Sequence, residues 1–133
     1  MAIDETKLNA FMGQFVNDLG AVMHAATVVV GDQLGLYKKL AEKPAKVEDL
    51  ARRTETDARY VREWLSAQAA SGYVQYDPAS ETFSLSEEQA FALAQEGSPA
   101  FIPGAVQIAV AQFKAIAKMA AAMRTGLGLG WHE

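Results

Sequence analysis

The feature that most constrains this chain is its first thirty-five residues. Leu8, Phe11, Met12, Phe15, Val16, Leu19, Val22 and Met23 recur at steps of three and four, the spacing of one helix face. Asp4 is placed to cap such a helix, and Glu5 suits the positive end of its dipole. From Val22 to Val30 the pattern closes around the axis, because Val-Met-His-Ala-Ala-Thr-Val-Val-Val is apolar on nearly every side. A helix that is apolar all round has to be covered all round. One small domain rarely does that for its own N-terminal helix. A homodimer is therefore expected, built largely by Thr6–Gly35 and the last helix of the chain.

The rest of the composition is that of an ordinary folded domain. At 133 residues, the chain is long enough for one core and too short for two ordinary domains. Half of it is hydrophobic and the formal net charge is −4, far from the composition of disordered chains. It contains no cysteine, which excludes disulfides, zinc–thiolate sites and a cysteine nucleophile. The N-terminus lacks a basic segment followed by an apolar one, so no signal peptide is expected. The most apolar stretch, Ala21–Gly31, is about half the length of a membrane-spanning helix. Cytoplasmic residence and no membrane partner are the expectations.

Further along, each element has its own boundary chemistry. Gly35 and Pro44 bracket a short helix, Leu36–Glu42, and Val47, Leu50 and Ala51 mark a second one ending near Thr54. Asp57 caps a longer helix with Tyr60, Val61, Trp64, Leu65 and Ala69 on one face and Gly72 as its stop. At Tyr73 the period changes. Tyr73–Tyr76, a turn at Asp77-Pro78-Ala79-Ser80, and Thr82–Leu85 read as a β-hairpin. Ser86-Glu87-Glu88-Gln89 has the capping-box pattern and opens a helix toward Leu93. Ser98-Pro99 starts a short turn that Pro103-Gly104 breaks. A single last helix then carries Val106, Val110, Phe113, Ile116, Ala117, Ala120 and Met123, with Gly126 as its natural end.

Two short helices, a longer helix and a hairpin, in that order, predict a mainly α winged helix-turn-helix, flanked by a long helix at each end. The expected organisation is an N-terminal dimerisation helix over residues 1–35 and a winged-helix core over 36–95. A C-terminal helix and linker over 96–133 follow.

Four runs together resemble a known pattern: Leu34-Gly35-Leu36-Tyr37-Lys38-Lys39-Leu40-Ala41, Val47–Thr54, Arg59-Tyr60-Val61-Arg62-Glu63-Trp64-Leu65, and Ser71-Gly72-Tyr73-Val74. Their order resembles the N-terminal winged-helix dimerisation domain of S-adenosylmethionine-dependent, small-molecule O-methyltransferase-like enzymes of bacterial and mycobacterial type. The resemblance runs from about Val16 to Glu133. It implies a homodimer, a small-molecule methyl acceptor and S-adenosylmethionine for the intact enzyme, with the cofactor held by a following Rossmann-like domain. Two departures stand out. Lys46 occupies a position that is often a Thr or Ser cap in the family, and the sequence ends at Trp131-His132-Glu133, where the family continues into its cofactor domain. The catalytic half is therefore expected to be missing from these residues, which should be inactive alone.

The residues themselves offer little chemistry. Gly126-Leu127-Gly128-Leu129-Gly130 follows a helix, whereas a cofactor loop follows a strand and precedes a helix. No strand–glycine–helix unit occurs, so no cofactor site is expected in this span. His24 lies within an apolar helix and is expected to be a satisfied core or interface residue; His132 reads as a linker residue. Glu87 and Glu88 suit a helix start rather than acid–base work. No metal-binding pattern, nucleophile elbow or phosphate loop is present, and no catalytic residue is expected. By resemblance, helices such as the last one cover the acceptor pocket, which makes Phe113, Met119, Met123 and Trp131 the candidate pocket-lining residues.

The rival reading is a winged-helix transcription regulator. Lys38, Lys39, Lys43, Lys46, Arg52, Arg53, Arg59 and Arg62 face five acids over the same span, a local excess of positive charge. Against it stand the negative overall charge, a candidate recognition helix with no basic residue after Arg62, and an acidic wing tip at Asp77–Glu81. No specific nucleic-acid partner is expected.

Overall fold

The computed structural model describes residues 2–130. The chain runs α1 (Glu5–Gln33), α2 (Leu36–Glu42), α3 (Val47–Thr54), α4 (Ala58–Ala70), β1 (Gln75–Asp77), β2 (Thr82–Ser84), α5 (Glu87–Leu93), α6 (Ile102–Lys114) and α7 (Ile116–Thr125). This is a winged helix-turn-helix between two helical arms, as the sequence predicts.

Local chemistry sets most of the boundaries. The Asp4 carboxylate accepts from the Thr6 and Lys7 amides, and Asp57 does the same for Arg59 and Tyr60. Ser86 and Gln89 close a complete capping box at α5. Lys46, as expected, provides no side-chain cap for α3. That helix ends instead on Glu55 in the left-handed region, with the Thr56 amide donating back to the Ala51 carbonyl. Gly126, with φ 73°, ends α7.

The wing pairs Tyr76 with Phe83 in an antiparallel register. Ala45 and Phe83 exchange both backbone hydrogen bonds, so the α2–α3 loop lies against β2 as a third short strand position. This buries Phe83 and Ala45 and fixes the wing to the helical body.

The core lies under α2, α3 and α4, where Leu36, Leu40, Leu50, Val61 and Leu65 are almost fully enclosed. Leu93 of α5 and Val28 of α1 complete it. On α4 the inward positions are 61, 64, 65 and 68. Gln68 is therefore fully buried, whereas Tyr60, expected on that face, points to solvent.

Gln68 is buried because it is fully used. It accepts from the Tyr37 hydroxyl (2.5 Å) and donates to the Thr27 hydroxyl (2.7 Å), which in turn donates to the His24 carbonyl (2.7 Å). The Trp64 indole donates to the Thr27 carbonyl (2.9 Å). A buried polar chain thus ties α1 to α2 and α4, and leaving one member unpaired would cost about 1–3 kcal/mol. Burial, reinforced by Tyr73 and Asp32, holds the Tyr37 hydroxyl well above its ordinary pKa, so it remains a donor.

The turn expected at Ser98-Pro99 ends before Pro103 and Gly104, which sit in the first turn of α6, where a proline loses no helical hydrogen bond. One feature differs from the expected pattern: the last helix is not single. It bends by 61° at Ala115, whose amide is shared between the Ala111 and Gln112 carbonyls (both 3.1 Å).

At Gly31 of α1, a β-carbon would lie 2.3 Å from Trp64 Cζ2 and 2.8 Å from Tyr37 Cε2. Gly31→Ala should gain helix propensity yet lose about 1–3 kcal/mol net through overpacking. Urea denaturation measures this loss, and an unchanged midpoint would contradict the close approach.

Candidate functional site

The described residues offer two uncovered apolar surfaces. The first is on α1, where His24, Val28 and Gly31 fall on one line along the helix and face the body. Leu8, Phe11, Phe15, Leu19 and Val22 lie on the opposite side, about 180° away at 3.6 residues per turn. All five are exposed, with Phe15 retaining 49% and Phe11 65% of its accessible surface. From Glu5 to Met23 every residue of the helix is exposed. The helix body therefore packs with one face and displays the other.

The second surface is the elbow between α6 and α7. Ile108, Gln112, Ala115, Met119, Leu129 and their neighbours enclose an open cleft of about 680 Å³. Its wall is apolar and its rim carries Lys114 and Lys118. The segment after Gly126 folds back so that Leu129 and Gly130 close one side. Of the four residues singled out in the sequence, Met119 (42% exposed) lines this cleft. Phe113 (59%) and Met123 (89%) project to solvent and are not brought to it. Trp131 lies outside the described residues, as does His132.

Sequence reasoning missed Ile108, Gln112 and Leu129 at this cleft, because the bend that gathers them has no breaker residue to announce it. It also missed the Tyr37–Gln68–Thr27 chain. The available signal was a glutamine at a core position of α4, seven residues after Val61.

His24 corrects another expectation. Its ring packs edge-on against Tyr73 with centroids 4.3 Å apart, but Nε2 is enclosed and has no hydrogen-bond partner. The histidine is half-buried, and its enclosed Nε2 is left unsatisfied beside the Tyr73 ring. That burial lowers its pKa from 6.5.

The basic span is largely neutralised by its own acids. Arg53, 13% exposed, donates to the Lys39 carbonyl and pairs with Glu42 and Asp49. Lys39 pairs with Glu42, Arg52 with Asp49, Arg62 with Glu48, and Lys38 with Glu96. These pairs hold α2 against α3 and α3 against α4, while the hydrogen bonds from Lys39 and Arg53 keep the Glu42 carboxyl below its ordinary pKa. Among the described residues, no group of His, Asp and Glu could hold a metal ion. No single described helix is long and apolar enough to cross a membrane.

A family model described as the Rv2258c-like winged HTH domain matches residues 22–95, more than half of the chain. The chain belongs to this family. No curated protein matches it. Among solved structures, this winged HTH chain is similar to the mitomycin 7-O-methyltransferase MmcR at 24% identity and a TM-score of 0.69, over 91% of this chain and 36% of that one. It is similar to the riboflavin-analogue dimethyltransferase RosA of Streptomyces davawensis at 23% identity and a TM-score of 0.67, covering 90% and 34%. PigF, solved with SAH, matches at 19% identity and a TM-score of 0.62, covering 93% and 38%. At these identities the likeness is one of fold, and the winged HTH chain spans about a third of the length of each protein.

The ion pairing carries an expectation for nucleic acid. Fluorescence anisotropy with duplex DNA at physiological salt should show no sequence preference and only the roughly 10⁻⁴–10⁻⁶ M affinity of non-specific contacts. Submicromolar, sequence-dependent binding would instead favour a transcription regulator.

Proposed function

We propose that this chain is the dimerisation and pocket-covering domain of an S-adenosylmethionine-dependent methyltransferase acting on a small molecule. The Rossmann-like catalytic domain, in this reading, lies outside these residues. The observation that carries it is the two-sided α1. Its apolar stripe is turned away from the body that anchors it, and the described residues leave that stripe exposed. A second copy presenting the same stripe is the simplest cover, because a two-fold axis matches like surface with like.

The likeness to MmcR, RosA and PigF supports the enzymatic part of the reading, since MmcR and RosA are methyltransferases and PigF is solved with SAH. The residues present do not fit the cofactor itself. A Rossmann-type site needs a glycine turn between a parallel strand and a helix. Here the described sheet is a two-stranded antiparallel hairpin, and Gly126 follows a helix. No methyl-transfer step is therefore assigned to these side chains.

Their work is to bind and to exclude water. The α6–α7 elbow offers one apolar wall for a methyl acceptor, with Met119 on that wall and the exposed Phe113 and Met123 available to a partner domain. The intact enzyme is proposed to act in the cytoplasm.

Sedimentation of the chain at tens of micromolar should give a dimer, and Phe15→Asp should weaken it by at least about a hundredfold, because an unpaired carboxylate would be buried. Calorimetry should detect no S-adenosylmethionine binding by this chain, and binding by a longer chain that includes a Rossmann-like domain. A stable monomer would overturn the dimer; micromolar cofactor binding by the chain alone would overturn the division of labour.

A further inference from the structure

We propose that His24 is an acid-sensitive latch that fastens the middle of α1 to the winged-helix body. Its place on the helix suggests this role. Every residue of α1 before His24 is exposed, and His24 is the first that is not. It lies one turn before Val28 and two before Gly31, where the body grips α1 tightly. Its side chain is therefore where cover by the body begins, and the helix from there toward Asp4 is exposed.

Its surroundings accept a neutral ring and offer nothing to a charged one. Nε2 is enclosed without a hydrogen-bond partner, and Tyr73 meets the ring edge-on. The segment after α4 contributes the Tyr73 phenol. From α4 itself come neutral Gln68, hydrogen-bonded to Thr27, and Trp64. The charged residue of α6 is Lys114, at its far end. On α2, Lys38, Lys39 and Glu42 are engaged in their own pairs. The acids of α5, Glu87 and Glu88, sit in its first turn, and the nearest acids along α1, Asp18 and Asp32, are six and eight residues away. None of these charges acts on His24; burial is the sole cause of its lowered pKa.

The sign follows directly. The latched state binds the proton less readily than the released state, so the latch is fully closed above pH 6.5, the ordinary histidine value. Below it, each pH unit favours release about tenfold, until the depressed pKa of the latched form is reached. Protonation would then free α1 around Val22–Thr27 to pivot on its Thr27–Gly31 anchor. This inference does not depend on a methyltransferase role.

Amide hydrogen exchange of the full chain between pH 8 and pH 5, corrected for intrinsic rates, tests the latch together with the NMR titration of the His24 ring. Protection at residues 23–28 should be constant above pH 6.5 and fall toward tenfold per unit below it. His24→Phe keeps an aromatic contact with Tyr73 and should hold protection flat, as should His24→Gln, which serves if the first variant folds poorly. A His24 ring titrating at or above 6.5, or a fall in protection that is the same in both variants, would overturn the proposal. Unchanged protection in the wild-type chain would do so as well.

Discussion

Everything in this structure depends on how closely α1 approaches the body at Gly31. With no side chain there, the Trp64 and Tyr37 rings lie directly against the helix backbone. The Trp64 indole can then reach the Thr27 carbonyl, and the Tyr37 hydroxyl reaches Gln68, which reaches Thr27. Apolar contact alone would leave α1 free to slide or rotate on a smooth surface. The polar chain allows one rotation only, because any other strands a buried donor or acceptor. That rotation decides which residues face outward.

The outward residues are the phenylalanines and leucines of the stripe. Fixing the helix by its glycine side gives the domain an apolar rib turned away from the body. The same principle operates in the body, where charges are spent internally: Arg53 fastens α2 to α3 through the Lys39 carbonyl, Glu42 and Asp49. Lys39, Arg52, Arg62 and Lys38 likewise spend their charge on Glu42, Asp49, Glu48 and Glu96.

Much of this was legible in the sequence. Asp4, Asp57, Ser86 with Gln89, and Gly126 each end or begin a helix through a local hydrogen bond or a left-handed turn, and such signals need no tertiary context. The missed features are all tertiary. Gln112 to Lys118 contains neither proline nor glycine, so nothing local marks the bend at Ala115 or the cleft it gathers. Pro103 reads equally as a breaker or an opener until the start of α6 is known. His24 looked like an ordinary core histidine because sequence reveals the polarity of a residue and not whether its neighbours provide an acceptor. Of the candidate pocket residues, Met119 borders the elbow and Phe113 and Met123 do not, a distinction that the bend alone creates.

The anchor at Thr27–Gly31 also governs how the rest of α1 comes to exist. Starting a helix is unfavourable, because a first turn must be ordered before its hydrogen bonds compensate, whereas extending one is nearly free. The body supplies that first turn already ordered, and the N-terminal half grows from it, away from the core, toward the Asp4 cap. The residues from Glu5 to Met23 thus hold their helical form from a template at one end and a single carboxylate at the other. Such a rib should melt from the tip inward, so the stripe it displays is least ordered where it lies farthest from the body.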